Sequence, residues 1–330
     1  MPIRFGLLGA SRIAPAALIE PARDNPDVRV VSVAARDPQR AHEYATEQGI
    51  PVVHEDYESL LRADDVDAVY IGLPAALHGH FTRAALAAGK HVLCEKPLTA
   101  NEAEAREVAR AVEQSGLVMM QAFHYRYHEL YRRVRAIIDS GELGLIQHWE
   151  AIFDVPEMPA TDIRWDYGLG GGVTMDIGCY PIDLVRSLAG EEPLVTSAVA
   201  TPGADPRVDG TLTAQWAFPD GSTASITGTM GVPGPDRQVA TLTGTGGTLV
   251  INGFVHPQHG NRLVISVAGQ ERSEVVAPAP SSYAAQLSAF LRAVQDGQPF
   301  ATDVQDAIKT MRLIDQCYLA AGLPVREPAS

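Results

Sequence analysis

Basic residues are scarce in this chain: 26 Lys and Arg stand against 40 Asp and Glu over 330 residues, a formal net charge of −14. A field of that sign repels phosphate backbones and anionic lipid, which excludes generic nucleic-acid or membrane-surface binding. Cysteine is scarcer still. Cys94, Cys179 and Cys317 are an odd number, far apart and without CxxC spacing, so no disulfide framework is implied. Apolar runs are short, none approaching the ~18 residues of a membrane span. The opening MPIRFGLLGA lacks the apolar region and small-residue cleavage site of a signal peptide. The expectation is a soluble, cytoplasmic protein. Neither HExxH nor a carboxylate–histidine spacing is present, so no metal site is expected.

Apolar residues make up 46% and charged residues 20%, ordinary globular usage. At ~150 residues per domain the length suggests two domains. Short apolar runs at Ile3 to Leu8, Val28 to Ala34, Ala68 to Leu73, His91 to Cys94 and Leu117 to Ala122 alternate with helical patterns. Those helices are Ala16 to Arg23, Pro38 to Gln48, Tyr57 to Arg62, His80 to Ala88 and Asn101 to Ser115. Continuous apolar strands with helical crossovers predict a doubly wound parallel α/β sheet over residues 1–122.

Beyond residue 122 the rhythm changes. Helical patterns near 127–140 and 174–189 flank the alternating HWEAIFDV (His148 to Val155). About six strand-like segments follow between Val195 and Ala268, and Asp220-Gly221 is a hairpin signal. Residues 123–330 therefore read as an α+β domain with an open, mostly antiparallel sheet, closed by helices near 283–296 and 303–321. The last few residues are expected to fray.

Immediately after the first strand comes GLLGASRIA. Aligned on the dinucleotide fingerprint GxGxxG/A, Gly9 makes the tight turn, Ser11 takes the second glycine slot and Ala14 the third. Serine there is a mild departure whose hydroxyl can itself donate to a phosphate oxygen. Arg12 and Ile13 complete the expected contacts of this turn with a dinucleotide. An NAD site places an acid at the end of the second strand; here the slot holds Ala35, followed by Arg36, whose guanidinium suits a 2′-phosphate. NADP over NAD follows. The alternative gives the acidic role to Asp37, but Asp37 before Pro38 reads as a helix cap.

Ligands of open α/β sheets lie beyond the carboxyl ends of the strands, which brings CEKPLT (Cys94 to Thr99), with Glu95 and Lys96, to the cofactor cleft. Further on, GLGGGVTMDIGCYPID (Gly168 to Asp183) sets Asp176 and Tyr180 four apart, on one helical face.

The succession GLLGASRIA, GLPAALHGHF, GKHVLCEKP and GGGVTMDIGCYPID resembles the glucose–fructose oxidoreductase / inositol dehydrogenase (Gfo/Idh/MocA) family along almost the whole chain. Many members carry His where Tyr180 stands; tyrosine, with the ARD strand end, is similar to the NADP-dependent branch of dimeric dihydrodiol dehydrogenase and D-xylose 1-dehydrogenase. The resemblance implies Tyr180 as the proton-transfer residue, Lys96 as its electrostatic partner, and Asp176 on a substrate hydroxyl or orienting Lys96. Glu95 would position the strand end and cofactor, Leu73 and Pro74 would line the cofactor edge, and His78, in the family's PxxxH loop, would lie near the nicotinamide ribose. Arg126 and Trp165 are candidate substrate contacts. The implied activity is NADP(H)-dependent hydride transfer at a hydroxyl- or carbonyl-bearing carbon of a small polyhydroxylated substrate, a sugar or cyclic diol. The alternatives are a ketosugar reductase, acting on a free or nucleotide-linked sugar, and a non-catalytic NADP-binding regulator. A homodimer or homotetramer assembled through the C-terminal sheet is also implied.

Overall fold

The computed structural model describes residues 1–329. They form two compact units, Met1–Phe123 with Tyr283–Ile308, and His124–Ser282 with Lys309–Ala329. The sequence reading places one break at 122/123 and leaves everything after it in the second domain. The structure instead returns Tyr283–Ile308 to the first unit, because an amphipathic helix there has its apolar partners on the first sheet. Phe290 packs on Phe5 with ring centroids 5.4 Å apart. Gln121 and Thr302 also exchange hydrogen bonds, the Gln121 amide donating to the Thr302 carbonyl and the Thr302 hydroxyl to the Gln121 carbonyl.

In the first unit the elements run β1 (Ile3–Leu8), α1 (Glu20–Arg23), β2 (Val28–Ala34), α2 (Pro38–Gln48), β3 (Val52–Val53), α3 (Tyr57–Leu61), β4 (Ala68–Ile71), α4 (Ala75–Ala87), β5 (His91–Cys94), α5 (Glu102–Ser115) and β6 (Met119–Gln121). The sheet is parallel, in the order β3-β2-β1-β4-β5-β6. β4 is wholly buried, and β1 and β5 are buried at all but one position each, as a sheet covered on both faces requires. Asp37 caps α2 by accepting from the Gln39 and Arg40 amides, the role the sequence assigns it over a ribose contact. The predicted helix from Ala16 differs: Pro15–Ile19 is a π-helical turn continued by the four residues of α1. Pro21 lacks the N–H of a regular turn and its ring crowds the carbonyl four residues back, which a widened turn relieves.

The second unit contains α6 (Glu129–Asp139), β7 (Ile146–Pro156), α7 (Cys179–Ala189) and β8 to β14: Leu194–Pro202, Asp209–Ala217, Thr223–Val232, Arg237–Gly244, Gly247–Asn252, Arg262–Val267 and Gln270–Glu274. The closing helices are α8 (Ser282–Asp296) and α9 (Val304–Ala320). The second sheet has eight strands, ordered β14-β13-β12-β11-β7-β10-β9-β8, rather than about six. It is mixed, since β7 enters its centre parallel to β10 and antiparallel to β11. β14 escapes the sequence reading because it is an almost fully exposed polar edge strand without alternation. Alternation elsewhere sends Trp149, Phe153, Leu212, Trp216, Ile226 and Leu242 into the core. Thr213 and Gln215 of β9 lie on the other face, pairing there with Thr227 and Ser225 of β10. The Asp220-Gly221 turn joins β9 to β10, with Gly221 at φ +88°.

Near the C-terminus, Arg326 is completely buried and ion-paired to Asp209. Among the described residues, no helix is long and apolar enough to cross a membrane, and no group of three His, Cys, Asp or Glu is placed to hold a metal.

All three cysteines are free and buried, and burial raises the Cys94 thiol well above its usual range and that of Cys317 to about 12. Native protein is therefore expected to leave all three unreacted with a disulfide thiol reagent at about pH 8, since the thiolate is the reactive form. The three should titrate on denaturation. A thiol that reacts in the native state contradicts this placement.

Candidate functional site

The order of the first sheet reverses between β1 and β4, and the crevice at such a switch point is where open α/β sheets bind ligands. Two glycines meet there. Gly9 leaves β1 at φ +102°, and a Cβ on it would lie 3.0 Å from Leu73 Cδ2 and 3.1 Å from the Gly72 carbonyl oxygen. A Cβ on Gly72, at the end of β4, would come within 2.5 Å of Ser11 Oγ. Gly72 was not singled out from the sequence; the Gly-Leu-Pro that closes its strand was the available signal. Ser11 Oγ is itself buried with no hydrogen-bond partner among the described residues. The turn is braced from α2, where an Arg40 guanidinium N–H donates to the Ala10 carbonyl at 2.9 Å and the Tyr44 hydroxyl to that of Ser11 at 3.0 Å. Arg12 and Ile13 face solvent from it.

Where β2 ends, Ala35 is buried and Arg36 exposed. Burial raises the Tyr57 phenol, while the Arg36 backbone and the Arg36 and Arg40 guanidinium charges oppose that shift, so both cations lie beside it. Two guanidiniums at the end of β2, with no acid in the ribose slot, fit a 2′-phosphate.

His78 ties the next two strand ends together. Its Nε2 lies 2.7 Å from the Leu73 carbonyl and its Nδ1 2.8 Å from that of Pro97. Two carbonyl acceptors favour the doubly protonated ring, but burial and the Lys96 charge oppose it, and burial dominates, lowering the His78 pKa. A neutral ring then donates to one carbonyl at a time. Lys96, joined to Pro97 by a cis peptide, follows β5, and Glu95 beside it is buried, accepting from the Tyr70 hydroxyl at 2.7 Å. Gly9, Ser11, Leu73, Pro74, His78, Glu95 and Lys96 thus come together at the carboxyl ends of β1, β4 and β5.

In the second unit, Thr174–Gly178 is again a π-helical turn, continued by α7, whose Pro181 repeats the geometry of Pro21. Asp176 and Tyr180 lie on this one helical stretch. Between them Gly178 packs on Gly228 of β10, where a Cβ on Gly228 would lie 3.2 Å from Gly178 Cα. The Tyr180 ring is 6% exposed and walled by Phe153, Tyr125 and His124, with centroids 5.8, 6.0 and 6.0 Å away. Asp176 accepts from Arg164 Nε at 2.6 Å, and Arg164 also pairs with Asp162 at 3.1 Å. Arg164 and the aromatic wall are members of this region that the sequence reading missed.

Two candidates are engaged elsewhere. Arg126, 9% exposed, pairs with the fully buried Asp183 at 3.4 Å and lies over the Tyr131 ring. Trp165 lies against Gly203, where a Cβ would be 3.1 Å from its ring, and beside Gly210.

Gly72→Ala sets a methyl against Ser11 Oγ and the turn. Overpacking of this kind costs about 1–3 kcal/mol, so dinucleotide affinity is expected to fall about tenfold or more. Titration of the reduced dinucleotide by fluorescence checks this; unchanged affinity in a folded variant contradicts the cradle.

Known proteins agree with this architecture. Residues 3–123 match the pattern described as "Oxidoreductase family, NAD-binding Rossmann fold", and residues 131–250 match the GFO/IDH/MocA C-terminal domain. The chain is 36% identical to D-xylose 1-dehydrogenase (NADP(+)) 2 of Haloferax volcanii, over 96% of this chain and 97% of the relative. It is 33% identical to the dTDP-3,4-didehydro-2,6-dideoxy-alpha-D-glucose 3-reductase of Actinomadura kijaniata, over 95% and 94%. The crystal structure of KijD10, a 3-ketoreductase from Actinomadura kijaniata in complex with NADP and TDP-benzene, superposes with a TM-score of 0.90 at 31% identity, covering 97% and 98% of the two chains. That ketoreductase has also been solved with a lysine replaced by alanine and with a tyrosine replaced by phenylalanine. With sequence patterns matched in both parts of the chain and relatives aligned along nearly all of it, this protein belongs to the Gfo/Idh/MocA oxidoreductase family.

Proposed function

We propose that this protein is an NADPH-dependent ketosugar reductase whose substrate is carried on a nucleoside diphosphate. The underlying activity is that of an NADP(H)-dependent oxidoreductase at a hydroxyl-bearing carbon of a sugar or diol. The observation that carries the narrower reading is the likeness, along 97% of the chain, to a 3-ketoreductase solved with NADP and a TDP ligand. It favours ketosugar reduction, one of the alternatives the sequence leaves open, over hydride transfer of undecided direction on a free sugar or cyclic diol. Arg164, 33% exposed although paired with Asp162 and Asp176, is a candidate cation for that diphosphate. Aldose oxidation is the second reading, favoured by the 36% identity to the xylose dehydrogenase.

When bound, NADPH supplies the hydride. Gly9, Ser11, Arg12, Ile13, Leu73 and Pro74 would hold its pyrophosphate and ribose edge, with Arg36 on the 2′-phosphate and His78 and Glu95 fixing the strand ends. In this reading Tyr180 donates its phenolic proton to the carbonyl oxygen as that oxygen becomes a hydroxyl. A free phenol titrates near 10, so working near neutrality asks for a shift of ~3 units, or ~4 kcal/mol. By the resemblance, the Lys96 ammonium would supply part of this by favouring the phenolate. Asp176 takes a substrate hydroxyl or orients Lys96. One Asp176 carboxylate oxygen already accepts from Arg164. Arg126 and Trp165 are weaker substrate candidates on account of their present partners.

The test is NADPH oxidation with TDP-linked and free ketosugars, alongside NADP reduction with aldoses. Turnover confined to the linked ketosugars supports the reading, whereas activity only on free aldoses moves it to the dehydrogenase. Tyr180→Phe is expected to lower turnover by about 100-fold or more, within the 10²–10⁴-fold range of acid–base groups. Arg36→Ala is expected to weaken NADPH binding by about tenfold or more and NADH binding little, from loss of a charge-assisted bond of roughly 1.5–3 kcal/mol. Equal losses for both cofactors would contradict the Arg36 assignment.

We also propose that the face of the second sheet on which Thr213 pairs with Thr227 and Gln215 with Ser225 joins two or four copies. Light scattering should then give at least twice the chain mass of 35.3 kDa. Thr227→Arg, at the centre of that face, should return the protein to monomer.

A further inference from the structure

We infer that Arg326, in the C-terminal tail, is a positioning residue for the helical turn that carries Asp176 and Tyr180, acting through Asp209. The inference rests on the proposed place of those two residues in the reaction. Arg326 and Asp209 are both 0% exposed and pair at 2.7 Å, although 117 residues separate them. A buried ion pair is a poor way to cover a core, since removing both charges from water costs more than apolar packing in the same space. What this pair offers instead is direction, and each member reaches a specific atom of the glycine run.

Asp209 Oδ2 accepts from the Thr174 amide at 2.8 Å and from its hydroxyl at 2.6 Å. Thr174 opens the π-helical turn, whose first amides have no carbonyl of their own turn to bond. Asp209, the first residue of β9, therefore supplies the cap from another strand. The other oxygen, Oδ1, is held by Arg326 and by the Tyr318 hydroxyl at 3.2 Å, so the carboxylate has a fixed orientation. Arg326 Nε meanwhile donates to the Gly171 carbonyl at 2.6 Å. Gly172 lies between these two grips, and a Cβ there would fall 2.1 Å from Asp209 Oδ1. The run of glycines is thus shaped to let the carboxylate and guanidinium close on the backbone. Outside the pair, the Tyr167 hydroxyl donates to the Val325 carbonyl, and the Tyr167 ring lies 5.2 Å from the Arg326 guanidinium. The tail is tied to both ends of the segment that enters the turn.

The test compares Arg326→Met, Arg326→Lys and Tyr167→Phe with wild type, using hydrogen exchange of residues 168–178, thermal midpoint, NADPH affinity and turnover. In Arg326→Met, exchange across 168–178 should quicken by about tenfold, with β12 unchanged. Turnover per folded molecule should fall by roughly ten- to hundredfold, with NADPH affinity within about twofold, the cost of misplacing a reacting group. Lysine keeps a point charge for Asp209 without the planar fork that also reaches Gly171, so Arg326→Lys should recover part of the turnover. A residue that serves stability alone would lower the thermal midpoint and leave the folded fraction at wild-type turnover; that result, or wild-type exchange over 168–178, overturns the inference. Should Arg326→Met not fold, Arg326→Lys and Tyr167→Phe decide it on the same two readouts, wild-type values in both overturning it. Tyr180→Phe run in parallel separates the two claims: full turnover there removes the reaction assignment, while exchange still judges the clamp.

Discussion

Close approach of backbones from distant parts of the chain is the constraint on which both candidate regions rest. At the switch point of the first sheet, Gly9 and Gly72 bring the ends of β1 and β4 so near that a single added Cβ would strike Leu73, a carbonyl or the Ser11 hydroxyl. In the second unit Gly178 meets Gly228, seating the Asp176–Tyr180 turn directly on β10, and Gly172 makes room for a carboxylate. Interiors packed at crystal-like density leave no slack to absorb a side chain at such points. Groups set there inherit the rigidity of the strands beneath them, which suits chemistry sensitive to fractions of an ångström.

Rigidity of this kind is reinforced by charge. The chain carries an excess of 14 negative charges, yet its deepest carboxylates are fully compensated. Asp183 accepts from Tyr125, Arg126, Arg186 and Thr310, and Asp209 from Arg326, Tyr318 and Thr174. Burial of an unpaired carboxylate would be prohibitive, so each one dictates where its partners stand. The two bracket the stretch bearing Asp176 and Tyr180, one at its entry and one a turn beyond Tyr180.

A proline after a π-helical turn occurs twice, at Pro21 and Pro181. Both were read from the sequence as plain helix. The pattern of apolar residues in a π turn hardly differs from that of an α turn over five residues, so periodicity does not reveal it. The prolines, which remove a donor and crowd a carbonyl, were the available clue.

By itself the sequence determined what depends on neighbours along the chain. Doubly buried strands had to be continuous apolar runs, so β1, β2 and β5 were legible to the residue. Alternation marked the strands of the second sheet, and short motifs marked Gly9, Lys96, Asp176 and Tyr180 as candidates. Asp37 was legible as a cap because capping is decided within four residues. Tertiary structure alone decided what depends on partners far away: that β7 lies parallel to β10, that Tyr283–Ile308 completes the first unit, that Arg126 is drawn to Asp183, and that Arg326 is buried against Asp209. The reason is one of range. Local backbone preferences and hydrophobic period act over a few residues and are written in order, whereas a buried charge or a side-chain-free contact is satisfied by whichever distant group the fold delivers.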